Sequence, residues 1–251
     1  MAATPYVGKA TFVASFAIDK TIRYKIGDIE RAFQPVFTAQ AVSTNVPDNG
    51  PPPIPRFTMQ SGPKQISISQ VTVQLDLNFD EQRKSIANTF AILEKNFASF
   101  WNGVCQLKRV DEIKNAGLVL TINSPSQGTR EEVCSQILER YAKVPARGAA
   151  ANASIQFGFK DDSESLYKNV SLQYYEVRTG TIPLGAPAGT TLVMEVASLP
   201  VQEKGYETKV DINSRPMEEA HVATTSALGA VLVGSMKAFT ADWGKEFFTW
   251  N

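Results

Sequence analysis

Histidine is almost missing from this sequence: His221 is the only one among 251 residues. Any Ser–His or Cys–His catalytic arrangement would have to use it. Cysteine is nearly as scarce. Cys105 and Cys134 form no C-x-x-C pair, and two cysteines in a chain of this length are not a disulfide framework. One histidine and two cysteines cannot by themselves build a standard structural zinc site. Cys134 lies three, four and seven residues before Ile137, Leu138 and Tyr141, which places it in their apolar stripe. No catalytic residue, metal or cofactor is expected.

Net charge is also lacking. Twenty-five Lys and Arg balance twenty-five Asp and Glu. A zero balance exerts no long-range pull on nucleic acid or an anionic membrane, so neither partner is expected. The most apolar stretch, ALGAVLV at 227–233, falls far short of the ~20 residues that span a bilayer. The N-terminus has no basic region ahead of its apolar part, and a cytoplasmic protein is expected. What is present is an ordinary globular balance, 43% hydrophobic and 20% charged, enough to fill a core.

Along the chain, "VGKATFVASFAI" reads as a first strand. Ile29, Phe33 and Phe37, spaced by four, predict a short helix ended or bent at Pro35. "RFTMQ", "QISIS" and "QVTVQLDLNF" alternate as strands, with a turn at "SGPK" and a turn or bulge at Ser69–Gln70 where the apolar parity switches. Asp80 is the expected N-cap of a helix carrying Ile86, Phe90, Leu93, Phe97 and Trp101, stopped at Gly103. The same order then returns. "AGLVLTINS" is a strand, and the capping box Thr129–Glu132 opens a helix that buries Val133, Ile137, Leu138 and Tyr141. "SIQFGF", "LYKNVSLQYYEV", "TTLVMEVASLP" and "KGYETKVDI" are strands. A long helix follows, with Ser214 as its cap, Pro216 in its first turn, and Leu228, Val231, Leu232, Met236, Phe239, Trp243 and Phe247 along it. The expected class is α+β: two strand-helix-strands-helix halves, 1–110 and 111–251, with antiparallel sheets and helices packed on one face. Whether the halves share one sheet or pack face to face stays open.

"PDNGPPPIPRF" at 47–57 holds five of the fourteen prolines. Polyproline II is the default for PPPIP, and P-x-x-P is a docking pattern. A linker would leave only 46 residues before it, too few for a sturdy domain. The favoured reading is a stiff connector from the first helix to the next sheet.

Other chemistries fit poorly. Gly180 and Gly185 have phosphate-loop spacing, but Ala186 and Pro187 stand where Lys and Ser/Thr are required. Asp161, Asp162 and Glu164 lack calcium-loop spacing and its central glycine, so they read as a solvated hairpin turn. Asp76 with Asp80, and Glu195 with Asp211, are carboxylate pairs without a specific signature. Tyr174 and Tyr175 should point to opposite faces of their strand, one into the core and one towards a contact. Gly229 and Gly234 weaken the last helix, which suggests close backbone approach to its own sheet or to a second subunit.

Three stretches, "PRFTMQSG" (55–62), "GLVLTIN" (117–123) and "KVDINSRPMEEAHVATT" (209–225), occur in an order that resembles a sporadically distributed family of uncharacterised bacterial proteins of about this length. The resemblance implies an intracellular bacterial setting and, through that distribution, a supporting role in a phage-defence or mobile-element system. It implies no activity. The expected function is a non-catalytic binding protein for a protein partner or a second copy of itself, with Tyr174, Tyr175, Gly229 and Gly234 on the interaction surface. The alternative is a small-ligand binder or enzyme, its pocket between the sheet and the last helix and lined by Arg56, Glu195 or Asp211.

Overall fold

A computed structural model describes residues 4–79, 83, 85–143, 148–180 and 198–247, with the backbone alone in 243–247. Among the described residues, nine strands form one antiparallel sheet. They are β1 (Tyr6–Phe16), β2 (Val42–Ser43), β3 (Phe57–Ser61), β4 (Lys64–Ile68), β5 (Thr72–Asn78), β6 (Ile113–Pro125), β7 (Ser154–Asp161), β8 (Leu166–Arg178) and β9 (Val201–Asn213). Five α-helices accompany them among the described residues: α1 (Ile26–Phe33), α2 (Ile86–Leu107), α3 (Arg130–Ile137), α4 (Arg215–Glu219) and α5 (Leu228–Phe247). The strand order is β2-β3-β4-β5-β1-β6-β9-β8-β7, so one sheet runs through both parts of the chain and β1 lies against β6 near its middle.

Period-two alternation decides which side of the sheet is dry. Ala10, Phe12, Ala14 and Phe16 of β1 are buried while Lys9, Thr11, Val13 and Ser15 between them are not. In β9, Tyr206, Thr208, Val210 and Ile212 are buried and Glu207, Lys209, Asp211 and Asn213 face the other way. Helices α1, α2 and α5 cover the dry face in one continuous core. Phe12 is central to it, its ring centroid 5.2 Å from Phe97, 5.4 Å from Phe100 and 5.9 Å from Trp101. Helix α3 covers the same face further along, packing Val133, Cys134 and Ile137 on Leu172 and Tyr206. Burying each such large side chain stabilises the fold by about 1.5–3 kcal/mol.

The helix ends depart from several expectations. Asp80 lies outside the described residues. Ser85 caps α2, accepting from the Asn88 N–H. The helix does not stop at Gly103 but continues to Leu107. Gly103 serves packing instead: a Cβ there would meet the Ala32 carbonyl and the Phe33 ring at 2.7 Å, so glycine lets α1 and α2 touch. The final long helix is two helices. Ser214 provides no side-chain cap; its Oγ accepts from the Ala116 N–H at 2.9 Å, and α4 ends after Glu219. His221 takes a left-handed φ of 54°, and Thr224 donates to the Ile113 carbonyl, which turns the chain before α5 begins. The capping box at Thr129 and Glu132 has both of its reciprocal bonds. The Trp243 and Phe247 side chains and the strand expected at "TTLVMEVASLP", up to 197, lie outside the described residues, as does most of the glycine loop after Gly180.

The proline stretch is a folded connector, bent rather than extended. Ile54 N–H donates to the Pro51 carbonyl at 3.1 Å, closing a turn. Arg56, fully buried, holds that turn from inside, donating to the carbonyls of Ile54 at 2.6 Å and Gly50 at 3.0 Å and more weakly to Pro51. Gln70 N–H reaches the Pro52 carbonyl at 3.1 Å, tying the turn to the β4–β5 hairpin.

Candidate functional site

The face of the sheet opposite the helices carries a hollow of about 720 Å³. It lies over β1, β6, β9 and β8, and its position follows from alternation. The register pairs Tyr6 with Asn123, Asn123 with Glu207, and Val177 with Glu203, so these side chains share one face. A register shift between Val7 and Lys9 lets both Tyr6 and Lys9 face the hollow across Gly8.

Glu203 is its centre. The side chain is only 7% exposed, and a carboxylate withdrawn that far from water must be hydrogen-bonded. Three donors meet it: Tyr6 Oη at 2.6 Å and Tyr175 Oη at 2.8 Å on Oε1, and the Arg83 guanidinium at 2.8 Å on Oε2. Arg83 also lies over the Tyr6 ring, 5.4 Å from its centroid. Asn123 Nδ2 donates to Tyr6 Oη at 3.3 Å. Burial, and then the bond to Glu203, push the Tyr6 hydroxyl up to about 12; the same two causes raise Tyr175. Both phenols therefore keep their protons at neutral pH.

Around this centre stand two half-exposed lysines, each leaning on a more buried carboxylate. Lys9 pairs with Asp76 at 2.9 Å, and Lys209 with Glu207 at 3.0 Å. Asp76 also accepts from Thr11 and Gln74. Burial acts to raise its carboxyl, but these bonds and Lys9 outweigh it and hold the group below its ordinary range. Lys9, Arg83 and Lys209 face Glu203 and Glu207 across the hollow; Glu176 borders it, but its carboxylate turns to the helix side, accepting from Tyr174 and pairing with Arg178.

The residues singled out from sequence distribute differently. Tyr175 lines the hollow. Tyr174 points to the helix side, packs with the core under α3 and lies beneath the Arg130 guanidinium at 5.2 Å. Arg56 turns both terminal nitrogens onto the carbonyls of its own loop, and its Nε is buried without a partner. Asp211 is on the open face, accepting from Asn169 and Asn213, but does not line the hollow. Five strand spacings separate β3, beside Arg56, from β9, about 24 Å at 4.8 Å each, so Arg56 and Asp211 are not brought together. Glu195 lies outside the described residues. Gly229 packs on Trp101 of its own chain, where a Cβ would meet Cγ at 2.6 Å; Gly234 faces open space. Both line a smaller groove of about 400 Å³ between α2 and α5, on the outer side of the helix layer.

Tyr6, Lys9, Arg83, Asn123, Glu203, Glu207 and Lys209 were not anticipated. The alternation of β9 marks Glu203, Glu207 and Lys209 as one face, but no pattern links them to Tyr6, 197 residues away from Glu203. Burial raises both thiols, and Cys134 lies in the core under α3 while His221 is exposed after α4. No group of three His, Cys, Asp or Glu suited to a metal occurs among the described residues. No helix among them is long and apolar enough to cross a membrane. No known family model matches this chain, nor does any curated protein or solved structure.

Proposed function

We propose that the protein is a non-catalytic recognition protein whose binding face is the open side of the sheet, centred on the hollow around Glu203. The observation that carries this reading is the pairing inside the hollow. Its tyrosines remain protonated, and Glu203 already accepts three hydrogen bonds. Such groups bind and orient: three of the roughly four acceptor positions of the Glu203 carboxylate are taken, and tyrosines that hold their protons act as donors rather than bases. Three cations interleaved with two carboxylates suit a polar surface presenting donors and acceptors of both signs, rather than a polyanion. That favours a polypeptide partner over nucleic acid.

The fold supports a broad face. Outward from the β1–β6 seam, the order β5-β4-β3 on one side matches β9-β8-β7 on the other, and helices follow each run. We read the chain as two halves of one design, 1–110 and 111–251, joined edge to edge with their open sides continuous. A second reading, a small-ligand binder, draws on the size of the hollow, which falls within the ~300–1,000 Å³ of small-molecule sites.

Native mass spectrometry of the protein taken gently from its source cells separates these readings. A stoichiometric polypeptide or a second copy, lost when Lys9→Ala is combined with Lys209→Ala and retained in Lys237→Ala on α5, is the expected result. Retention in the double variant would overturn the assignment of the face. A bound small molecule lost with the same two lysines would favour the second reading.

A further inference from the structure

The hollow holds a guanidinium already, and it is the chain's own. Glu203 bonds Arg83 at 2.8 Å from one edge while the Tyr6 ring lies 5.4 Å from its central carbon. A carboxylate at the edge and an aromatic face beside it are the two surfaces a planar guanidinium recognises best. The receptor side of this contact is buried and ordered by a network: Glu203 is 7% exposed, Tyr6 5%, and Tyr175 and Asn123 brace them. The donor side is not. The Arg83 side chain is 56% exposed, and its backbone holds a left-handed φ of 41°, a conformation that costs a non-glycine residue about 1 kcal/mol or more.

Asn123 supplies an independent observation. The residue is 8% exposed, it lines the hollow, and its Oδ1 is buried with no hydrogen-bond partner. A buried acceptor left without a donor is unfavourable by about 1–3 kcal/mol, and Arg83 does not relieve it. A ligand bearing several N–H groups would. Charge agrees. Arg83 is the cation paired with the buried Glu203 carboxylate, so displacing it leaves that carboxylate to be paired by one incoming cation.

We infer that Tyr6, Tyr175, Glu203 and Asn123 form a receptor for a guanidinium group, and that Arg83 occupies it until a partner presents an arginine of its own. This rests on the open face being the recognition surface, and it names the chemistry recognised there. Arg83 then acts as an internal competitor: the partner's arginine binds only as far as it displaces Arg83, so removing Arg83 strengthens external binding.

The test is calorimetric titration of the whole chain with N-acetyl-arginine methylamide and, separately, methylguanidine. Arg83→Ala and Arg83→Gln change a half-exposed side chain and leave the core intact. Both are expected to bind the blocked arginine at least about tenfold more tightly than the unaltered protein. The corresponding lysine compound should bind more weakly, because an ammonium cannot fork onto the carboxylate. Glu203→Gln in the Arg83→Ala background should abolish binding. Shifts of the Tyr6 and Tyr175 ring resonances on adding the probe locate the site without a change at Glu203, should that variant fail to fold. Preference for blocked arginine over methylguanidine indicates a protein side chain as the natural ligand; equal binding indicates a small free guanidinium. No binding by either Arg83 variant, or binding that leaves both tyrosine rings unshifted, overturns the receptor. If that occurs while the double lysine variant still loses its partner, the recognition face stands and only the receptor falls. Arginine binding with no partner on that face leaves the receptor standing and removes the recognition face.

Discussion

Arg56 shows how far one buried side chain can organise a segment. Its guanidinium binds carbonyls on both sides of a proline turn, and among the described residues no carboxylate forms an ion pair with it. Lysine has the charge but a single nitrogen, so Arg56→Lys cannot set one nitrogen against Ile54 and another against Gly50 as the guanidinium does. The expected cost is about 1–3 kcal/mol, read from the midpoint of urea unfolding with an unchanged slope. At the hollow, Tyr6 ties ionisation to stability. Its folded value, about 12, lies above the ordinary 10.0. The protonated phenol therefore favours the fold fully below pH 10, and this contribution is lost as pH rises towards 12. The absorbance difference between the unaltered protein and Tyr6→Phe, followed in the phenolate band, should titrate near 12. A midpoint near the ordinary 10.0 would mean that Tyr6 is neither buried nor donating to Glu203.

Among the helices, the two glycines of α5 make opposite predictions. Gly229 touches Trp101, so Gly229→Ala must push the α2–α5 pair apart and should destabilise by about 1–3 kcal/mol. Gly234 meets nothing within 4 Å. Gly234→Ala should raise stability by about 0.5–1 kcal/mol through helix propensity alone. Thermal melts of the two variants check both signs, and a strongly destabilised Gly234→Ala would show that something packs there. Local patterns were legible where they carried the whole cause. The Thr129–Glu132 box is a short local motif that needs no distant partner, and the apolar stripe of α2 was readable from Ile86 to Trp101. The break between α4 and α5 was not, because it depends on distant contacts: Ser214 with Ala116, Thr224 with Ile113, and the Ser226 carbonyl with the Trp101 indole.

For the whole molecule, strand order is what builds the site, and strand order is the part a sequence leaves open. Alternation in β9 separates Glu203, Glu207 and Lys209 from the buried Tyr206 and Val210. It cannot say that β6 and β1 lie next to β9, so it cannot bring Tyr6 and Asn123 to Glu203. The single core beneath the sheet has its own consequence. It joins Phe12, Phe97 and Trp101 to Ile212, Leu232 and Met236 across the β1–β6 seam. Trp101 fluorescence, read with Trp243 and Trp250 replaced by Phe, and far-ultraviolet circular dichroism should therefore lose structure in one coincident urea transition; two separated transitions would contradict a continuous core.

Covalent lysine labelling, compared between gently opened source cells and the purified protein, probes the recognition face with the fewest assumptions. Lys9 and Lys209 on the open face and Lys237 on α5 are each about half exposed, so each reports on its own side. Lys9 and Lys209 are expected to react less in the cell extract while Lys237 reacts equally in both. Protection of Lys237, with Lys9 and Lys209 unchanged, would contradict a recognition face on the open sheet and place the partner on the groove between α2 and α5.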